Sequence, residues 1–125
     1  MNQNINTEII LLSGFTNASF QTDVSNLLKS RGYNVKSAAN SWETINRPKT
    51  ENIKIVILGS PCDPESFNRI KQWSSEKKLL FVYIRTEKLQ NDYLWAQKHG
   101  IRYYAFHTNG DNQNLIDLLK IMLES

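Results

Sequence analysis

The sequence holds a single cysteine, Cys62, in 125 residues. That excludes an internal disulfide and any metal site built on several cysteines. There are two histidines, His99 and His107, too few for a typical zinc site without carboxylate help. With three prolines and five glycines, the chain shows no low-complexity segment, internal repeat or interdomain linker. No apolar run approaches the length that crosses a bilayer. The opening MNQNINTE lacks the basic and apolar regions of a signal peptide, so a soluble, cytoplasmic protein is expected. A dominant charge of one sign is also missing. The net charge is only +3 and the pI about 9.0, and the bases are scattered (Arg31, Lys36, Arg47, Lys54, Lys71, Lys77, Lys98). They form no continuous stripe, so nucleic acid is not an expected partner. Neither a Gly-x-Gly-x-x-Gly nor a Gly-Lys-Ser phosphate loop occurs.

What the sequence does contain is alternation. Glu8 to Ser13 (EIILLS) is a short continuous apolar run, as a strand buried on both faces requires. Phe20, Val24, Leu27 and Leu28 follow at helical spacing, and Gly32 after Arg31 stops that helix. Tyr33 to Ala38 alternates like a strand nearer an edge. Ser41 to Arg47 predicts a short helix closed by Pro48. IKIVILG, ending at Gly59, is the most central strand. Asp63 suits a helix cap, Pro64 the first helical position and Glu65 the positive end of the dipole. Phe67, Ile70 and Trp73 form the buried stripe of that helix. Leu79 to Ile84 is a fourth strand, Leu89 to His99 a weaker helix ended by Gly100, and Ile101 to Phe106 a fifth strand. Asn109 to Ser125 contains a last helix with Leu115, Leu118, Leu119, Met122 and Leu123 on one side. Trp42 and Trp73 are assigned to the core.

Five βα units in this length predict one α/β domain over residues 1–125, with its core at about 8–123. The expected architecture is a flavodoxin-like (βα)5 sandwich around a five-stranded parallel sheet in the order 2-1-3-4-5. Its ligand crevice lies at the carboxyl ends of the first and third strands, here Ser13-Gly14-Phe15 and Gly59-Ser60-Pro61.

From Glu8 to Leu123 the chain resembles the receiver domain of bacterial response regulators. The resemblance is carried by IILLSGF, LLKSRGYNVKSAANSWE, IKIVILGS and HGIRYYAFHT. A receiver needs two carboxylates after its first strand and an aspartate at the end of its third. These hold magnesium, and the aspartate accepts phosphate. A hydroxyl after the fourth strand and a lysine after the fifth complete the set. Magnesium wants oxygen ligands, and phosphoryl transfer needs the charge neutralised. Carried over, the acidic pair falls on Ser13 and Gly14, and the phosphoacceptor on Gly59. The hydroxyl falls on Arg85, with Thr86 one residue on, and the lysine on His107. The resemblance therefore implies a degenerate pseudo-receiver rather than a phosphorelay domain. Asp63 lies four residues past Gly59 and suits a cap better than a replacement acceptor.

The expected function is a protein–protein interaction module in bacterial signal transduction that works without phosphorylation. It is not expected to be an enzyme or to bind a metal or cofactor. Its partner would be another regulatory protein or a second copy of itself. The candidate interaction residues are Tyr93, Trp95, Tyr103 and Tyr104, on the face that the fourth helix, fifth strand and last helix form in receivers. The alternative is a small-molecule or nucleotide-binding module in the same crevice, where Ser13 to Ser19 offers backbone N–H groups ahead of a helix. Cys62, beside a helix start, is a further candidate nucleophile, though a single loop cysteine is usually incidental. A phosphocarrier enzyme would need a cysteine or histidine in Ser13 to Ser19, and neither occurs there.

Overall fold

The computed structural model describes residues 8–15, 18–38, 40–47, 52–59, 64–85, 97–98, 100–101, 103–106 and 113–124; for 85, 104–106, 113–114 and 123–124 it describes the backbone. The strands are β1 (Ile9–Ser13), β2 (Asn34–Ser37), β3 (Ile53–Gly59), β4 (Leu80–Arg85) and β5 (Tyr103–Phe106). The helices are α1 (Ala18–Ser30), α2 (Ser41–Ile45), α3 (Pro64–Glu76) and α4 (Gln113–Glu124). The helix expected over Leu89 to His99 falls mostly outside the described residues, of which Gln97 and Lys98 are helical.

All pairings are parallel, and the sheet runs β2-β1-β3-β4-β5. β1 and β3 are the inner strands with the strongest apolar runs, because helices cover both of their faces. Side chains alternate between two cores. Ile10, Leu12, Ile55, Ile57, Val82 and Ile84 face one side, where Phe20, Val24 and Leu28 of α1 meet Leu115, Ile116, Leu119 and Met122 of α4. Leu11, Val56, Leu58 and Tyr83 face the other side, where α3 delivers Ile70 with Phe67 and Trp73 beside it. There the Phe67 ring meets Phe81 and Tyr83 edge-on, at 5.9 and 5.6 Å between centroids.

One charged residue interrupts the apolar run of β3. The β1–β3 register slips between Ile9 and Ile10, which pair with Ile53 and Ile55, so Lys54 is expelled. Such a bulge moves one side chain out of the pleat without breaking the sheet. Lys54 is exposed and lies 4.0 Å from Glu8.

Two helices end in the same way. Tyr33 N–H donates to the Leu28 carbonyl at 3.1 Å and Gly32 N–H to the Lys29 carbonyl at 3.0 Å. In α3, Leu79 N–H donates to Ser74 at 2.8 Å and Lys78 N–H to Ser75 at 3.1 Å. Both are the paired 6→1 and 5→2 closure that uses a left-handed residue. Gly32 supplies it with φ +88°, whereas Lys78 must adopt φ +58° with a Cβ present.

The assignment of Trp42 to the core is corrected: its side chain is 58% exposed. The short helix α2 turns its small polar residues inward, burying Ser41 and Thr44, and its indole outward. Hydroxyls can be buried there because each has a partner, as described next. Trp73 is half-buried against the α3-side core, in line with its apolar stripe.

Candidate functional site

The register places the crevice. Ser13, the last residue of β1, is the Cα partner of Leu58, so β1 and β3 finish at one level. Gly14 follows with φ +71°, a left-handed turn that tips the chain off the sheet. Phe15 is then thrown toward the end of β3. A Cβ built on Gly59 would lie 2.5 Å from Phe15 Cδ2, 2.6 Å from Cγ and 2.7 Å from Cε2. The ring therefore occupies the space of any side chain at position 59. It also packs against Phe20 on the first turn of α1, at 5.2 Å and 56°.

Ser13 is fully buried, and its hydroxyl is hydrogen-bonded to that of Thr44. Thr44 spends its own proton on the Asn40 carbonyl at 2.9 Å. Each hydroxyl has one proton, so Ser13 must donate to Thr44. Asn40 caps α2 in turn, its Oδ1 accepting from Glu43 N–H at 2.9 Å. The end of β1 is thus tied to α2 by a closed polar chain.

A second chain ties α2 to α3. Arg69 Nη1 donates to Ser41 Oγ at 2.8 Å, and Ser66 Oγ lies 3.5 Å from the same oxygen. The other end of the guanidinium pairs with Glu65, one helical turn back. The guanidinium carbon sits 4.1 Å from the centre of the Trp42 ring.

Of the expected site residues, the structure brings Ser13, Gly14 and Gly59 together. Arg85 ends β4 one residue beyond Ile84, the Cα partner of Gly59, with only its backbone described. His107, Tyr93, Trp95, Cys62 and Asp63 lie outside the described residues. Tyr103 is half-buried against the α1–α4 core, and Tyr104 is the Cα partner of Tyr83 on β4. Sequence reading placed Phe15 at the crevice but missed its ring against Gly59, and it missed Thr44 and Arg69. For Phe15 a signal existed: an aromatic two residues past one inner strand, level with a glycine that ends its parallel neighbour.

The described residues of the crevice do not fit magnesium. Gly14 and Gly59 offer no side chain, and the Ser13 hydroxyl is engaged by Thr44. Among the described residues no group of three or more His, Cys, Asp or Glu side chains could hold a metal ion. Likewise no helix among them is long and apolar enough to cross a membrane.

Sheet order and crevice together define a flavodoxin-like α/β fold. Similar solved structures include a response regulator receiver domain from Clostridium thermocellum, at 16% identity, TM-score 0.69 and 94% coverage of both chains. A protein named for pilus assembly (cpaE), from Burkholderia thailandensis E264, is similar at 18% identity and TM-score 0.69, over 94% of this chain and 98% of that one. The Vibrio cholerae chemotaxis protein CheY4 is similar at 16% identity and TM-score 0.65, over 92% and 97%. No family model matches the sequence, and no curated protein does. At these identities the likeness is one of fold.

Proposed function

We propose that the chain is a receiver-type regulatory module that works by protein–protein contact and without phosphorylation. The observation that carries this reading is the Phe15 ring in the space next to Gly59. Where a receiver keeps its phosphoacceptor carboxylate, this chain keeps an aromatic ring packed on Phe20. Ser13, at the position of the first carboxylate, is committed to a structural hydrogen bond. An apolar plug and a satisfied hydroxyl offer nothing to hold magnesium or to neutralise a phosphoryl group. The same plug works against the crevice as a nucleotide seat. The likeness to receiver domains, to a chemotaxis protein and to a protein named for pilus assembly supports a regulatory role.

The test is direct. The full chain is incubated with magnesium and acetyl phosphate and its intact mass is read; in parallel, beryllofluoride is added and tryptophan fluorescence followed. Neither a phosphoryl adduct nor a fluorescence change is expected. An adduct on any carboxylate, Asp63 included, would overturn the reading. For the contact face, Tyr103→Ala and Tyr104→Ala are expected to weaken capture of a partner or of a second copy. Unchanged capture would remove the fifth strand from that face.

A further inference from the structure

The exposed indole of Trp42 stands apart from the crevice and from the tyrosines. Its ring is not loose. Arg69 covers one face at 4.1 Å and is itself fixed by Ser41 and Glu65. Despite that cover the residue is 58% exposed. In the two described ion pairs of α2 and α3, the acids project and the bases are withdrawn. Glu65 is 77% exposed against 21% for its partner Arg69, and Glu43 is 49% exposed against 15% for Arg47. Each pair is neutral in sum, but the outer layer is carboxylate and the inner layer guanidinium. Glu43 follows Trp42 on α2 and Glu65 sits on the guanidinium that covers the ring, so an exposed indole with two outward carboxylates near it is complementary to a cation, through the ring quadrupole and through charge.

We infer that the α2–α3 face, centred on Trp42 with Glu43 and Glu65, docks an arginine- or lysine-bearing segment of a partner protein. The platform is held in place before binding, so little side-chain entropy is lost when the partner arrives. Tryptophan is also a side chain on which binding energy concentrates. Non-specific attraction does not explain such binding, because the chain carries a net charge of +3 and repels basic peptides in general. This inference rests on the reading of the chain as an interaction module. It is independent of the crevice and of Tyr103 and Tyr104, so its failure is distinguishable from theirs.

The test uses dye-labelled arginine-rich, lysine-rich and glutamate-rich peptides of equal length, titrated with the full chain and followed by fluorescence anisotropy. The basic peptides are expected to bind saturably and the acidic one not to bind. Trp42→Ala should weaken binding by about tenfold, and Trp42→Phe, which keeps a ring, by less. The double change Glu43→Gln with Glu65→Gln should weaken it and flatten its salt dependence. Trp42 lies at the surface, and circular dichroism checks that each variant is folded. Equal binding by wild type and Trp42→Ala would overturn the inference, as would no binding of either basic peptide at low salt. A dimer in sedimentation that Trp42→Ala dissolves, without peptide binding, would assign the face to a second copy instead.

Discussion

Adding a single methyl group at Gly59 tests the geometry of the crevice. Gly59 ends β3 with a backbone outside the left-handed region, so alanine can adopt it without strain. In a strand with free space, glycine to alanine stabilises by about 0.5–1 kcal/mol, because the unfolded chain loses freedom. Here the new Cβ meets the Phe15 ring at 2.5–2.7 Å, an ångström inside ordinary contact. The ring must move, and it is held by Phe20 and the first core. Overpacking of this kind costs about 1–3 kcal/mol, so Gly59→Ala should destabilise. Phe15→Ala alone should cost about 2 kcal/mol, below the ~3–5 of a fully buried phenylalanine. In the Phe15→Ala background the methyl group has room, and Gly59→Ala should become neutral or mildly stabilising. The coupling between the two sites is then about 2–3 kcal/mol, far outside the ~0.5 kcal/mol scatter of independent sites. Urea unfolding of the wild type, both single variants and the double variant measures it, provided the slopes agree. Gly59→Ala as stable as the wild type, or simple additivity, would refute the placement of the ring.

Two further outcomes follow from the same structure. Lys78→Gly should stabilise by about 0.5–1 kcal/mol, raising Tm by roughly 2–4 °C, because it relieves a Cβ at φ +58°; a fall in Tm would refute the closure drawn for α3. Ser13→Ala should cost about 1–2 kcal/mol by leaving Thr44 short of a donor, whereas Ser13→Ala with Thr44→Val should recover most of that loss in urea unfolding; no recovery would show that the hydroxyl pair is not a closed unit.

Much of the sheet was legible because it is written in continuous apolar runs. IKIVILG is β3 to the residue, and Gly32 stands where the left-handed turn after α1 requires it. The ends of weaker elements were less so. β5 begins at Tyr103 rather than Ile101, since Ile101 is buried in the α3-side core while lying outside the strand. Trp42 misled because hydrophobicity alone cannot tell which face of a five-residue helix turns inward. That choice is made by Ser41 and Thr44, whose partners, Arg69 and Ser13, lie 28 and 31 residues away in sequence. The crevice was located by topology, but what fills it depends on Gly14 tipping Phe15 across to another strand. That is a tertiary contact whose signal is split between the ends of two strands.

The strand order also bears on how the chain is made. β1 lies between β2 and β3, and Ile10 pairs with Val35 on one side and Ile55 on the other. During synthesis the second of those neighbours emerges from the ribosome long after the first. Until residues 53–59 are out, β1 has one open edge, and its five residues, all buried in the finished sheet, lack one of the two strands that flank them. Long-range parallel pairing is slow, and an apolar strand waiting for it is an aggregation hazard. Order of synthesis, more than final stability, therefore decides how long this strand is vulnerable. A pause in translation while residues 53–59 are still inside the ribosome would lengthen that interval, and one after they have emerged would not.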